Sequence, residues 1–247
     1  MRKIGFKVPG ATLAAPGTPF SPKDYAVALF GAFAAFAVYF STVGPTITGE
    51  DSGELVTAAW SLGIPHPPGY PLWSMLAHVF TYLPFGTVAW RVNLCSAACS
   101  ACAVFVVALF IMHLTRNRLA ALAGALALAY SREFWSQSLI AEVYALNALL
   151  IALCILFLAR WQNVRRNPWL FAFAFVYGLG LANHNTMALV GPLFGLFILA
   201  VDFPRIRPHV YLAMMLVSFL VALLIYLYLP IRSLANPVMD WGNPETF

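Results

Sequence analysis

Residues 49–73 read Gly49-Glu-Asp-Ser-Gly-Glu-Leu-Val-Thr-Ala-Ala-Trp-Ser-Leu-Gly-Ile-Pro-His-Pro-Pro-Gly-Tyr-Pro-Leu-Trp73. The stretch gathers Glu50, Asp51, Glu54 and His66 in a chain that is otherwise almost entirely apolar. It directly follows the first long apolar run, which places it at a membrane surface. Three acids and an imidazole in that position read as a reaction centre or the remains of one.

Of the 247 residues, 62% are hydrophobic and 9% charged, and the mean hydropathy is +0.80. A soluble domain carries about 25% charged residues, so this is an integral membrane protein of several spans. Helices are expected, because a lone segment in lipid must satisfy its own backbone. A barrel would show alternating segments of about ten residues, whereas these runs are continuous. A net charge of +5 in such a chain reports topology and gives no sign of a nucleic-acid partner. Cys95, Cys99 and Cys102 share one face of an apolar run. They read as small packing residues, and with Cys154 they imply no disulfide framework.

Working outward from the motif, the fold class is an all-α polytopic membrane protein of about seven spans. These are expected near 24–43, 91–114, 119–136, 138–160, 168–183, 186–201 and 208–229, making residues 24–229 the membrane domain. Residues 1–23 form a basic cytoplasmic tail without a cleavable signal, so the first span serves as an uncleaved anchor. Residues 44–90 form a large first outer loop. Its second apolar piece, Tyr70–Leu83, would be about 21 Å of helix, short of the roughly 30 Å hydrocarbon core, and is read as interfacial. The tail, 230–247, is turn-like with no closing element, as though more protein followed. This arrangement puts eleven of the fourteen basic residues on the cytoplasmic side, as the positive-inside rule asks. Arg91, Arg132 and Arg232 are left outside, with most of the acids and with His66 and His184.

Each motif has a plain and a functional reading. Asp51-Ser-Gly-Glu54 fits a capping box, with Glu54 reaching back to the cap amide. It also fits a general base at Asp51, with Glu50 or Glu54 positioning substrate or a divalent cation. His66 is set in an extended frame by Pro65, Pro67 and Pro68, as a rigid turn or as a group aimed at a phosphate. Glu142, in the outer half of the fourth span, is either paired with Arg132 or Arg91 or part of a site. Asn183-His184-Asn185 is an ordinary polar helix end or another wall of the site. Arg91, Arg232 and His66 are candidate phosphate partners. Nucleotide-binding and common hydrolase motifs are absent.

These residues carry a resemblance. Asp51-Ser-Gly-Glu54, His66-Pro-Pro-Gly-Tyr-Pro-Leu-Trp73, Trp90-Arg-Val-Asn-Leu94, Ala141-Glu-Val-Tyr144, Gly180-Leu-Ala-Asn-His184 and Tyr228-Leu-Pro-Ile-Arg232 with Trp241-Gly242 follow in order. The chain resembles the GT-C class of membrane glycosyltransferases. It is especially similar to the bacterial family related to the eukaryotic O-mannosyltransferase that modifies plexin-type receptors. The resemblance implies a GT-C-like core in a bacterial inner membrane. It implies inverting transfer of a sugar, with mannose a candidate, from a polyprenyl-phosphate donor to a protein or glycan hydroxyl at the extracytoplasmic face. Asp51 would be the base and Glu54 its neighbour. Glu50, His66, Tyr70, Arg91, Glu142, Tyr144, His184 and Arg232 would bind substrate or phosphate. No resident metal is implied, although the loop acids leave room for a divalent cation. A rival expectation makes the chain a non-catalytic structural subunit of a larger membrane complex, packing on other membrane helices.

Overall fold

A computed structural model describes residues 19–206 and 209–246, without the side chains of 203–206 and 209. Most of the basic tail, with Arg2, Lys3 and Lys7, and the side chains of Arg205 and Arg207 lie outside the described residues. Within them the chain is helical, apart from one isolated parallel bridge between Ile64 and Asp240. The helices are α1 Pro22–Thr42, α2 Ser52–Ser61, α3 Pro71–Phe80, α4 Val88–Thr115, α5 Arg118–Ala129, α6 Arg132–Gln137, α7 Tyr144–Val164, α8 Asn167–Leu181, α9 Thr186–Ile206, α10 His209–Leu223 and α11 Tyr228–Ser233.

Local chemistry sets the helix ends. Ser21 and Asp24 form a reciprocal capping box at the start of α1, satisfying amides that the helix leaves unpaired. Thr87 accepts from the Trp90 N–H to open α4, and Asn117 caps α5 through the Leu119 and Ala120 amides. Arg116 and Arg165 close α4 and α7 in left-handed conformation, each donating its N–H back into the last turn. Among the described residues, four stretches are long and apolar enough to cross a membrane: Pro22–Thr42, Val88–Thr115, Tyr144–Val164 and Val210–Ser233. Three shorter apolar helices, Arg118–Ala129, Asn167–Leu181 and Thr186–Asp202, stand at the other expected positions.

Contacts between helix ends fix their directions. The Tyr39 hydroxyl near the end of α1 donates to the Ala129 carbonyl at the end of α5. Arg118 and Asp24 pair the two starts at 2.9 Å. His113 near the end of α4 meets the Ala159 carbonyl and Asn163 near the end of α7. Asn147 and Thr186 join the starts of α7 and α9, and Tyr226 reaches the Leu181 carbonyl at the end of α8. Successive long helices therefore alternate in direction. Helix α4 is the mast of the bundle: its apolar window is 67% buried, against 6% for Val210–Ser233. Cys95 and Cys99 pack inside while Cys102 is exposed, and all four cysteines are free thiols.

Three expectations need correction. The stretch 119–136 is two helices, because Ser131 turns to extended conformation ahead of the charged Arg132-Glu133 pair. The helix expected from 138 begins at Tyr144, so Glu142 precedes the span instead of lying within it. Residues 138–143 stay out of the helix because other donors take their carbonyls. The Gly44 N–H bonds to Leu139, Trp73 Nε1 and Ser96 Oγ to Glu142, and Asn183 Nδ2 to Val143; with those partners in place the helical ladder is not needed. Finally, the tail does close on the fold. The Ile64 N–H donates to the Met239 carbonyl, and the Trp241 N–H to that of Ile64.

Candidate functional site

The site is built where the first loop folds over the starts of α7 and α9. Asp51 occupies the position before α2, but its side chain bonds to no helix amide. Glu54 turns to His66 and does not reach back to the cap. The capping box is therefore not made, and the Asp51 carboxylate stays 58% exposed, with Oδ2 3.9 Å from His66 Nε2. Glu54 grips His66 twice: one oxygen accepts its backbone N–H, the other lies 3.1 Å from Nδ1. Tyr70 closes the opposite side of the ring, its hydroxyl 2.8 Å from His66 Nε2. Both ring nitrogens thus have partners, and Glu54 fixes the ring's orientation. Burial, then the Asp51 charge, pushes the Tyr70 phenol up to about 12, so Tyr70 keeps its proton at working pH.

Glu142 lies beneath this layer, 3% exposed. It accepts the Asp51 backbone N–H at 3.0 Å, which ties the loop to the start of α7. Burial raises its carboxyl to about 7, and the neighbouring Glu50 and Asp51 charges act the same way. The pairing with Arg91 or Arg132 considered from sequence is not among the ion pairs of the described residues. Glu50 accepts from Gln137 Nε2 at 3.2 Å.

A second group abuts the first. The His184 ring stacks on Tyr70, 5.9 Å between centroids and 15° between planes, and Tyr144 meets it edge-on at 5.3 Å. The Thr186 N–H donates to His184 Nδ1. Asn147 Nδ2 donates to Thr186 Oγ1, which leaves the threonine proton to point at Nδ1, 2.8 Å away. Burial and the nearby His66 lower the His184 pKa. The ring is then neutral with its proton on Nε2, since a nitrogen that accepts a backbone N–H cannot also carry hydrogen. Thr186, Asn147 and Gln137 were not singled out from sequence. Asn147 carried a legible signal: it is a polar residue inside an apolar run, three positions after Tyr144 and so on the same helical face.

The two arginines stand apart from this cluster. Arg91 donates to the Thr81, Phe85 and Gly86 carbonyls and locks the turn between α3 and α4. Arg232 donates to the Ser61 and Leu62 carbonyls and holds the end of α2.

Asp51, Glu54 and His66 also offer one ligand atom each, all within 4.8 Å of one another. Opposite ligands stand about 4.2 Å apart around octahedral Mg²⁺ and about 4.8 Å around Ca²⁺, whereas the ligands of a tetrahedral Zn²⁺ stand about 3.4 Å apart. The spacing suits a large hard cation, needs slight contraction for Mg²⁺ and more than 1 Å of it for a tetrahedral Zn²⁺ (about 4.8 to about 3.4 Å), and His66 would give up one of its present partners.

The model of the protein O-mannosyl-transferase TMEM260 N-terminal domain matches residues 51–207. The mouse protein O-mannosyl-transferase TMEM260 is 34% identical over 231 residues, covering 89% of this chain and 32% of its own length. The Dictyostelium discoideum protein of the same name is 28% identical over 228 residues, covering 85% and 28% respectively. The chain thus spans about a third of the length of these curated relatives. No solved structure matches it. With more than half its length matched, from Asp51 through α9, the chain belongs to the family of the protein O-mannosyl-transferase TMEM260 N-terminal domain.

Proposed function

We propose that this chain carries the sugar-transfer site of a membrane O-mannosyltransferase of GT-C type. Its donor is a polyprenyl-phosphate mannose, its acceptor a protein hydroxyl, and its site faces the extracytoplasmic side of a seven-span bundle. The observation that carries the reading is the state of Asp51. An acid at the position just before a helix would ordinarily cap it; here the carboxylate makes no bond to a helix amide and lies beside an imidazole that another acid holds in place. The names of the relatives support the class of reaction.

In this reading the acceptor hydroxyl oxygen attacks the anomeric carbon as the bond from that carbon to the phosphate oxygen breaks. The hydroxyl proton passes to an Asp51 carboxylate oxygen, and the bonding pair leaves on the polyprenyl phosphate. Tyr70, kept protonated, and the neutral Nε2–H of His184 are donors for the leaving phosphate. Glu54 positions His66, and Glu142 positions Asp51 through its backbone N–H.

Asp51→Asn keeps the size of the side chain and removes the base. Transfer from a polyprenyl-phosphate mannose to an acceptor peptide should fall by about 10²–10⁴-fold, with the thermal midpoint nearly unchanged. Undiminished transfer by the folded variant would sink the proposal.

A further inference from the structure

Where the tail crosses the Pro-Pro turn it leaves a pocket of about 250 Å³. Pro65, Pro67, Pro68 and Pro244 form its walls, completed by the exposed Trp241. Gly69 and Leu229 meet at its base, so close that a Cβ on the glycine would stand 2.8 Å from the leucine Cδ2. A proline brings no backbone N–H, and among the described residues of the lining the Trp241 indole is the only side chain that can donate a hydrogen bond.

The pocket adjoins the Asp51 cluster. Pro65 and Pro67 flank His66 in the chain, and His66 Nε2 lies 3.9 Å from Asp51 Oδ2. A free strand edge runs beside it. Ile64 bonds Met239 and Trp241 through its N–H and its carbonyl, so the N–H and carbonyl of Asp240 between them point the other way. The charge of this face is one-sided. Asp240 and Glu245 bracket the pocket's tail residues, and Glu50 and Asp51 are exposed, whereas Arg91 and Arg232 are engaged by backbone carbonyls.

We propose that this pocket is an acceptor subsite: it takes an apolar side chain of an extended, basic polypeptide segment whose serine or threonine hydroxyl is presented to Asp51. The assignment rests on the protein acceptor proposed above. The chemistry narrows the occupant. A saccharide would bury hydroxyls with a single side-chain donor to meet them, at a cost of roughly 1–3 kcal/mol for each one left unbonded. The volume falls below the about 300–1,000 Å³ usual for a small-molecule ligand and suits one large apolar side chain. A polypeptide delivers such a side chain while its backbone pairs with a free edge like that of Asp240. The surrounding carboxylates favour Lys and Arg in the same segment. An extended chain advances about 3.3 Å per residue. With the His66 turn between pocket and carboxylate, the residue in the pocket stands two to four positions from the acceptor residue, about 7–13 Å along the segment.

The test uses the whole chain in nanodiscs and photoreactive peptides. Each peptide carries one threonine, a photo-leucine three positions before or after it, and lysines at both ends. A diazirine-bearing phosphatidylcholine is the lipid probe. The expected result is that one of the two peptides labels residues 64–69 or 241–244 and that the lipid probe labels them far less. Exchanging the lysines for glutamates should weaken the labelling. Trp241→Ala should cut it about tenfold, and Trp241→Phe should keep most of it. In transfer assays Trp241→Ala should raise KM for the peptide and leave kcat nearly unchanged. Val238→Ala, exposed on the tail outside the pocket, should change neither readout. No labelling of the pocket by either peptide, equal labelling by the lipid probe, indifference to Trp241→Ala, or a preference for the glutamate peptides would overturn the proposal. Should Trp241→Ala not fold, the labelling map of the unsubstituted chain decides alone. Pocket labelling combined with full transfer by Asp51→Asn would leave the subsite standing and remove the proposed chemistry. The reverse pair of results would do the opposite.

Discussion

Glu142 sets the pH response of the site. Its carboxyl sits near 7 in the folded chain, against an ordinary value of about 4.3 for the unfolded chain. The folded state therefore holds a proton that the unfolded state has already released. Stability from this group falls as pH rises through the window between those values and is flat on either side. The full cost above pH 7 is of order 3 kcal/mol. Glu142→Gln keeps an oxygen to accept the Asp51 N–H and removes the charge. It should raise the thermal midpoint at pH 8, and the difference should vanish near pH 4.5. An equal gain at both pH values would show that the charge is not the cause. At this scale the sequence was half legible. Charges set in an apolar chain stand out, so Asp51, Glu54, His66, Glu142 and His184 could all be named from it, and all meet in the structure. An arginine's sequence position does not say which carbonyls it will reach, so Arg91 and Arg232 could not be sorted into turn-locking roles. Thr186 acts through a hydroxyl, and threonines in apolar helices are too common to signal anything.

At the scale of elements, the Pro-Pro turn is shaped by close approach. Gly69 has φ +85, and a Cβ there would stand 2.8 Å from Leu229 Cδ2. The left-handed conformation and the contact both call for glycine. Gly69→Ala should destabilise the fold by about 1–3 kcal/mol. Adding Leu229→Ala should recover the part due to the clash but not the part due to φ, which differential scanning fluorimetry of the two variants would separate. No recovery at all would mean that the backbone conformation carries the whole cost. Hydropathy placed α1, α4 and α8 within a few residues because their apolar runs end at caps, prolines or charges. It misplaced the start of α7, because Leu139, Ile140 and Ala141 are as apolar as a span. What keeps them out of the helix is a set of donors from Gly44, Trp73, Ser96 and Asn183, partners 40 or more positions away that no local window contains. The tie between the tail and Ile64 is hidden for the same reason.

At the scale of the molecule, the alternation of the helices sorts the charges. The ends opposite the Asp51 cluster carry Lys23, Arg116, Arg118, Arg160, Arg165 and Arg166, with Asp24 and Asp202 paired to two of them at 2.9 and 3.2 Å. The site end carries most of the acids, and its two arginines nearest the loop are engaged by backbone carbonyls. Basic residues near span ends are retained in the cytoplasm, so the cluster should face the other side. Two single cysteines test this: Ala235→Cys, exposed at the site end, and Gln162→Cys, exposed in the last turn of α7. Of the native thiols, only Cys102 is exposed, and it lies within α4. In sealed right-side-out vesicles a membrane-impermeant maleimide should label Cys at 235 before lysis and Cys at 162 only after it. The reversed pattern would put Asp51 in the cytoplasm and exclude a donor presented from the outer leaflet. Labelling of both positions before lysis would contradict the bundle itself, because it would mean that α7 does not separate the two compartments.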